Sequence, residues 1–181
     1  MKFPDICVVD TNVPVNANKA REETPDVPFE LIRTCVEAIR HVINNNALVI
    51  DVTGEIFAEY RHRLKLSGEP GVGDKFVKWV NDNQWTLPED HRVTISPDGE
   101  SYREFPVHEG LSSFDPSDRK FIAVANAHPL KPPILQATDS KWVAWEAALK
   151  AVGIDVVFLD REYVEEKQKN KMKQPKLLFP Q

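Results

Sequence analysis

Short apolar runs alternate with helical patterns along most of the chain. The first run, residues 6–9, ends at Asp10, and the second, residues 47–50, ends at Asp51. Between them, apolar residues from position 29 to about position 44 recur every three or four positions, as on one face of an amphipathic helix. A strand, a helix and a second strand in this order predict two parallel strands joined by a right-handed crossover.

The alternation continues to residue 159. Helices are predicted over residues 53–66, around 76–80, from 115 onward and over 142–152, and strands over 133–138 and 154–159. Asp115 and Pro116 suit the N-cap and the first position of their helix. Residues 86–114 differ, because Pro97-Asp98-Gly99 separates two short extended segments and predicts a hairpin or an extended loop. The whole pattern is typical of one α/β domain.

The composition limits the class of protein but does not indicate a function. Of 181 residues, 41% are hydrophobic and 28% charged, as in an ordinary single-domain globular protein. We expect a cytoplasmic protein without a membrane partner, because no apolar run approaches the roughly 18 residues that span a bilayer and the N-terminus is too acidic for a signal peptide. Cys7 and Cys35 are predicted to be buried thiols. A net charge of -5 disfavours a uniformly basic surface but allows a local basic patch.

Two acidic residues follow predicted buried strands. Asp10 ends the first strand, and Asp139 ends the strand over residues 133–138. The carboxyl ends of parallel strands share one edge of a sheet, where open α/β folds bind ligands, so we expect these two carboxylates to be neighbours. Taken alone, Asp10 is also compatible with an acid that ends its strand and caps the next turn.

Two further acids lie on predicted helices. Asp118 shares its stripe with the apolar Ile122, which turns it toward the sheet, although an acid in a first turn also stabilises the helix terminus. Glu59 lies beside apolar positions, but it is also compatible with a surface ion pair to Arg63, and Glu55 is a rival on the same face.

Gathering these acids in one crevice implies a counterion. Repulsion between two carboxylates costs on the order of 4 kcal/mol per pair at about 4 Å unless cations or protons neutralise them. Hard oxygen ligands with open positions suit Mg²⁺ or Mn²⁺, whose chemistry serves water activation and charge neutralisation at a phosphodiester. The acids therefore predict a divalent metal site.

Four segments, in this order, resemble the PIN-domain metal-dependent ribonucleases. They are Val8-Val9-Asp10-Thr11-Asn12, Glu59-Tyr60, the segment from Asp118 to Ala125, and Ala137-Thr138-Asp139. The resemblance spans nearly the whole chain. It implies a three-layer α/β/α fold with a central, mainly parallel sheet over residues 1–160, an insertion around residues 86–114, and cleavage within single-stranded RNA.

The resemblance also implies a site and partners. Mg²⁺ or Mn²⁺ would be held by four carboxylates that are at once metal ligands and catalytic residues: Asp10, Glu59, Asp118 and Asp139. Asn12 and Thr138 would orient these carboxylates. Single-stranded RNA is the implied substrate, while a toxin role, an antitoxin-like protein partner and a homodimer are left open.

Two other functions compete with this one. Family members often carry another acid two residues after the last one, where this chain has Lys141, so a non-catalytic PIN-like module that binds RNA or a protein is the alternative. Aspartyl-phosphate phosphatases also begin with an acid after the first strand, but they need a second acid at the position of Asn12, which disfavours them.

The C-terminal residues 161–181 form a basic tail. The stretch from Lys167 to Lys176 has no apolar stripe, so we expect the tail to contribute to RNA affinity through phosphate contacts rather than to folding. A solvated, disordered terminus is the alternative.

Overall fold

The computed structural model describes residues 1–173, and the predicted contribution of Lys176 lies outside them. Seven α-helices are found in that range: α1 Asn12–Asn18, α2 Phe29–Asn45, α3 Glu55–Arg63, α4 Val72–Asn83, α5 Arg119–Ala127, α6 Trp142–Ala151 and α7 Arg161–Lys173. The strands are short: β1 Val8–Val9, β2 Ile50–Asp51, β3 Arg92–Val93, β4 Pro97–Asp98, β5 Ser101–Tyr102, β6 Ile134–Gln136 and β7 Val156–Phe158. The chain is therefore a mixed α/β protein, as predicted.

Parallel pairing dominates the sheet. β1 pairs with β6 and β6 with β7, while β2 pairs with β3, all in parallel. A parallel bridge between Cys7 and Leu48 joins the two pieces, so the strands lie in the order β7-β6-β1-β2-β3. Because the strands are parallel, the carboxyl ends of β1 and β6 lie at the same edge, which places the residues that follow them side by side.

The predicted strand-helix-strand unit at the N-terminus is confirmed. α2 buries the stripe that its periodicity predicts, including Leu31, Cys35 and Ile39, and it ends at Asn46 in a left-handed conformation with φ 50°. Cys7 and Cys35 are buried free thiols. The apolar face of α2 packs mainly against α1 and α4.

The inserted region is a hairpin with a different turn from the predicted one. β4 and β5 are antiparallel, and Pro97 and Asp98 lie in a strand rather than in the turn, which begins at Gly99 with φ 61°. Val93, predicted in the hairpin, instead pairs in parallel with Asp51 at the edge of the main sheet. Burial of Val93 and Ile95 against the core explains this choice.

Two helices are present where the sequence analysis gives none. α1 forms in the segment predicted only as a connection, and α7 forms in the predicted basic tail. α1 packs closely on α4, since a Cβ atom on Gly73 would lie 1.9 Å from the carbonyl oxygen of Pro14. Within residues 1–173, no helix is both long enough and apolar enough to cross a membrane.

Candidate functional site

A cavity of about 560 Å³ lies beyond the carboxyl ends of β1 and β6. Its lining includes all six residues that the sequence analysis selects: Asp10, Asn12, Glu59, Asp118, Thr138 and Asp139. The rival Glu55 lines a separate cavity, where the hydroxyl of Tyr102 donates a hydrogen bond of 3.0 Å to its carboxylate. The structure thus brings the four selected acids to one place and leaves Glu55 outside it.

Asp10 is almost fully buried at the base of this cavity. It is 4% exposed, and its backbone N–H donates to the carbonyl oxygen of Leu135 at 3.0 Å, which continues the β1–β6 ladder. Burial raises the pKa of its carboxyl well above the ordinary value of 3.8, and the charge of Asp118 adds to this rise. The backbone N–H of Asn12 opposes the rise by donating a hydrogen bond of 2.8 Å to Oδ1.

Asp51 occupies a comparable place to Asp10, because it is the last residue of β2, whereas Asp10 directly follows β1. Its carboxylate accepts hydrogen bonds from the backbone N–H groups of Glu55 at 2.7 Å and Ile56 at 3.0 Å. Asp51 therefore caps the first turn of α3. Asp10 also meets the structural role that was open for it, since its Oδ1 accepts from the N–H of Asn12, the first residue of α1.

Asp118 immediately precedes α5, but it does not cap that helix. Its Oδ2 accepts a hydrogen bond of 3.2 Å from Nε1 of Trp142. Asp115 accepts from the backbone N–H of Ser117 at 3.2 Å and caps the 3-10 helix Pro116–Asp118, which leads into α5. Burial raises the pKa of Asp118 to about 6, the Trp142 hydrogen bond opposes that rise, and the charge of Asp139 adds to it. The side chain is thus held at the cavity by tertiary structure.

Glu59 enters the cavity from α3 and forms an ion pair with Lys120 of α5. The side chains of the pair are only 26% and 12% exposed, and Lys120 also donates to the carbonyl oxygen of Ser117. The partner of Glu59 is therefore a half-buried cation. Arg63, the alternative partner on the same helix, lines the same cavity.

Asp139 is held in the turn that follows β6. Its Oδ1 accepts a hydrogen bond of 3.0 Å from the backbone N–H of Lys141, and its own N–H donates at 3.0 Å to Oε1 of Gln136. The ammonium group of Lys141 lies 3.1 Å from Oδ2 of Asp115, so the residue at the position of the missing acid carries a positive charge beside the acidic cavity.

The side chains of Asn12 and Thr138 form hydrogen bonds with neighbouring amide groups rather than with the carboxylates. The side chain of Asn12 donates to Oε1 of Gln136 at 2.7 Å and accepts from the N–H of Ala137 at 2.8 Å, so it ties the start of α1 to the end of β6. Thr138 accepts a hydrogen bond of 3.3 Å from the amide of Asn16. Asn12 contacts Asp10 only through its backbone N–H, whereas its side chain was predicted to orient the carboxylates.

Four basic residues lie around the acids, and two of them, Lys167 and Lys171, belong to the tail that was predicted to contact RNA phosphates. Lys19, Arg63, Lys167 and Lys171 line the same cavity, and they come from three separate parts of the fold. Burial lowers the pKa of Lys167, whose ammonium group donates a hydrogen bond of 2.9 Å to the carbonyl oxygen of Thr138. Only the basic composition of the C-terminal segment gave a signal for the two lysines of α7.

The donor set fits a hard divalent cation. Asp10 and Asp118 are crowded enough that each is affected by neighbouring negative charge, which a cation would relieve. Two neutral oxygens in the same cavity, Oγ1 of Thr11 and Oδ1 of Asn16, are buried without a hydrogen-bond partner. In residues 1–173, however, no three Asp, Glu, His or Cys side chains converge closely enough to form a metal site as they stand. Binding would require the carboxylates to draw together.

No protein-family model, curated protein or solved structure matches this chain. Inferences about its function therefore rest on the chemistry of the cavity.

Proposed function

We propose that the chain is a PIN-like, metal-dependent endoribonuclease that hydrolyses phosphodiester bonds of single-stranded RNA. The observation that carries the proposal is the meeting of Asp10, Glu59, Asp118 and Asp139, from four distant segments, in one cavity at the ends of parallel strands. Such a gathering opposes folding unless a cation binds there, because like charges repel strongly when partly buried. The fold we infer is the three-layer α/β/α arrangement, which the strand order β7-β6-β1-β2-β3 supports.

Asp10, Asp118 and Asp139, with Glu59, would hold Mg²⁺ or Mn²⁺. When bound there, such an ion activates water and offsets negative charge on a phosphodiester. The protein supplies the fixed parts: Trp142 orients Asp118, and the hydrogen bonds in the β6 turn hold Asp139. Glu59 can orient the attacking water once its carboxylate leaves Lys120.

The charge distribution supports a polyanionic substrate. Although the whole chain has a net charge of -5, the cavity wall carries Arg63, Lys167 and Lys171, besides Lys19, which pairs with Asp26. Local basic groups attract phosphates even on an acidic protein. The acids would then lie where a phosphodiester is held by the surrounding cations.

A non-catalytic RNA-binding module is the second candidate, and the Lys120–Glu59 ion pair favours it. An ammonium group beside Glu59 already neutralises one of the four acids without a metal. The ammonium group of Lys141, which pairs with Asp115, adds a second positive charge near Asp139 but outside the lining of the cavity. In this alternative the cavity binds RNA phosphates and cleaves nothing.

A circular single-stranded RNA separates the two candidates. An endonuclease converts the circle to a linear product, a binding module leaves it intact, and a contaminating exonuclease finds no end to attack. We expect Mn²⁺ to convert the circle to linear products with the full chain, and EDTA to prevent this. An intact circle at saturating Mn²⁺, together with measurable RNA binding, would contradict the nuclease and support the binding module.

A further inference from the structure

One face of α7 forms a continuous wall between the acidic cavity and a second, smaller cavity. Tyr163, Lys167 and Lys171 are spaced four residues apart, so they lie above one another on the helix. All three line the acidic cavity, and all three also line the second cavity of about 280 Å³, together with Glu166 and Asn170. The two cavities therefore adjoin along this face.

The helix is held firmly enough to act as a fixed wall. On another side, Val164 is fully buried, and the guanidinium of Arg161 forms an ion pair with Glu146 of α6. The backbone N–H of Tyr163 donates a hydrogen bond of 3.0 Å to Oδ1 of Asp160, which precedes the helix. These contacts fix the backbone that carries the side chains of the cavity face.

The chemistry of this face is that of a single-strand binding surface. The ammonium group of Lys167 lies 5.5 Å from the centre of the Tyr163 ring, and its hydrogen bond to Thr138 places it one residue from Asp139. Proteins that hold single strands combine cations that follow the phosphates with aromatic rings on which bases stack. A duplex would not offer a base to such a ring, because its bases are stacked and paired.

We propose that Tyr163, Lys167 and Lys171 form the subsite for the nucleotide next to the scissile phosphate of single-stranded RNA. This inference rests on the proposed nuclease function. The two lysines pair with phosphates, and the base of that nucleotide enters the second cavity and stacks on Tyr163. The RNA strand therefore leaves the acidic cavity along α7.

Binding of a short, fluorescently labelled oligouridylate, followed by anisotropy in EDTA, tests the subsite without cleavage. We expect Tyr163→Ala to weaken binding about tenfold and Tyr163→Phe to bind like the parent, since stacking needs the ring and not the hydroxyl. We expect Lys171→Ala to lower the slope of log affinity against log salt by about 0.7, as the loss of one single-strand phosphate contact does. Lys169→Ala is the matched control, because Lys169 is exposed on the same helix and lines neither cavity.

Melting curves establish that each variant is folded. Equal salt slopes for Lys171→Ala and Lys169→Ala, equal affinities for Tyr163→Ala and Tyr163→Phe, or a parent that does not bind the RNA would each overturn the subsite. If the variants do not show the expected changes in RNA binding but metal-dependent cleavage is intact, the subsite is wrong and the nuclease proposal stands. The expected binding pattern without cleavage of the circular RNA supports the subsite and overturns the nuclease.

Discussion

Nε1 of Trp142 donates a hydrogen bond of 3.2 Å to Oδ2 of Asp118. Trp142 is fully buried at the start of α6 and packs edge-on against Phe114, with 5.2 Å between the ring centres. A side chain of the core therefore fixes the orientation of the acid that precedes α5. The bond favours the ionised carboxylate, while burial favours the neutral acid and raises the pKa of Asp118 to about 6. The protonation of Asp118 therefore depends on the fold.

The first prediction concerns the stability of the metal-free chain against pH. Between about pH 4 and about pH 6, folded Asp118 keeps a proton that the unfolded chain has released, so stability should fall as pH rises through this window. Asp118→Asn should remove this part of the slope and be more stable than the parent at about pH 7, by up to about 3 kcal/mol. Urea unfolding in EDTA measures both. A variant less stable by about 0.3–1 kcal/mol at about pH 7 would instead indicate a helix-terminus role.

The second prediction concerns the Lys120–Glu59 ion pair. Lys120→Met should destabilise the metal-free chain by about 3 kcal/mol, because it leaves Glu59 unpaired among other acids in a half-buried site. Lys78→Met is the matched control, since Lys78 pairs with Asp82 on the surface at 62% and 47% exposure and should change stability by less than about 0.5 kcal/mol. Urea unfolding in EDTA measures the difference, and equal losses would contradict the account.

The third prediction is that Mn²⁺ stabilises the chain. At about 100 times its dissociation constant, a ligand of the folded state contributes about 2.7 kcal/mol, which for a domain of this size raises the melting temperature by about 5–10 °C. Asp139→Asn should lose most of this increase. Glu55→Gln, which removes the same charge outside the acidic cavity, should keep it. A melting temperature that does not change across a millimolar Mn²⁺ titration of the parent would count against the site.

The fourth prediction tests the packing that positions α1 behind Asp10. Gly73→Ala should cost about 3 kcal/mol, because its Cβ would lie 1.9 Å from the carbonyl oxygen of Pro14 and the two helices would have to separate. Gly54→Ala meets no atom within 4 Å and carries only the strain of its φ of 87°, about 1–2 kcal/mol. Thermal unfolding ranks the two variants, and the reverse order would contradict the close approach of α1 and α4.

The periodic parts of the fold could be predicted from the sequence, because their local pattern and their packing agree. α2 has an apolar stripe of helical spacing, and the structure buries that stripe. α1 could not be predicted, since its sequence contains three asparagines and Pro14, and it depends on burying Val13 and Ala17 against its neighbours. α7 buries Val164 alone and is held by polar contacts such as that of Lys167, which no periodicity reports.

Part of the candidate site could likewise be predicted from the sequence, and part could not. Asp10 and Asp139 were predictable because each follows a strand, and parallel pairing then makes them neighbours. The placement of the cations beside them was not predictable, although the tail that contains Lys167 was expected to contact RNA, because Lys19, Arg63 and Lys167 reach the cavity from separate elements. The hydrogen bond from Trp142 to Asp118 could not be predicted either, because Trp142 occupies an ordinary apolar position of a helical pattern.

Cleavage of single-stranded RNA by Asp10→Asn and Glu55→Gln, measured side by side in Mn²⁺, decides whether the acidic cavity is a nuclease site. Each change removes one negative charge and keeps an oxygen that can accept the hydrogen bond seen in the structure, from the N–H of Asn12 or the hydroxyl of Tyr102. Because a contaminating nuclease would be unaffected by either substitution, the comparison also identifies the source of any cleavage. We expect Asp10→Asn to lose Mn²⁺-dependent cleavage by at least about a hundredfold and Glu55→Gln to retain it. Full metal-dependent cleavage by the Asp10→Asn protein would contradict the account.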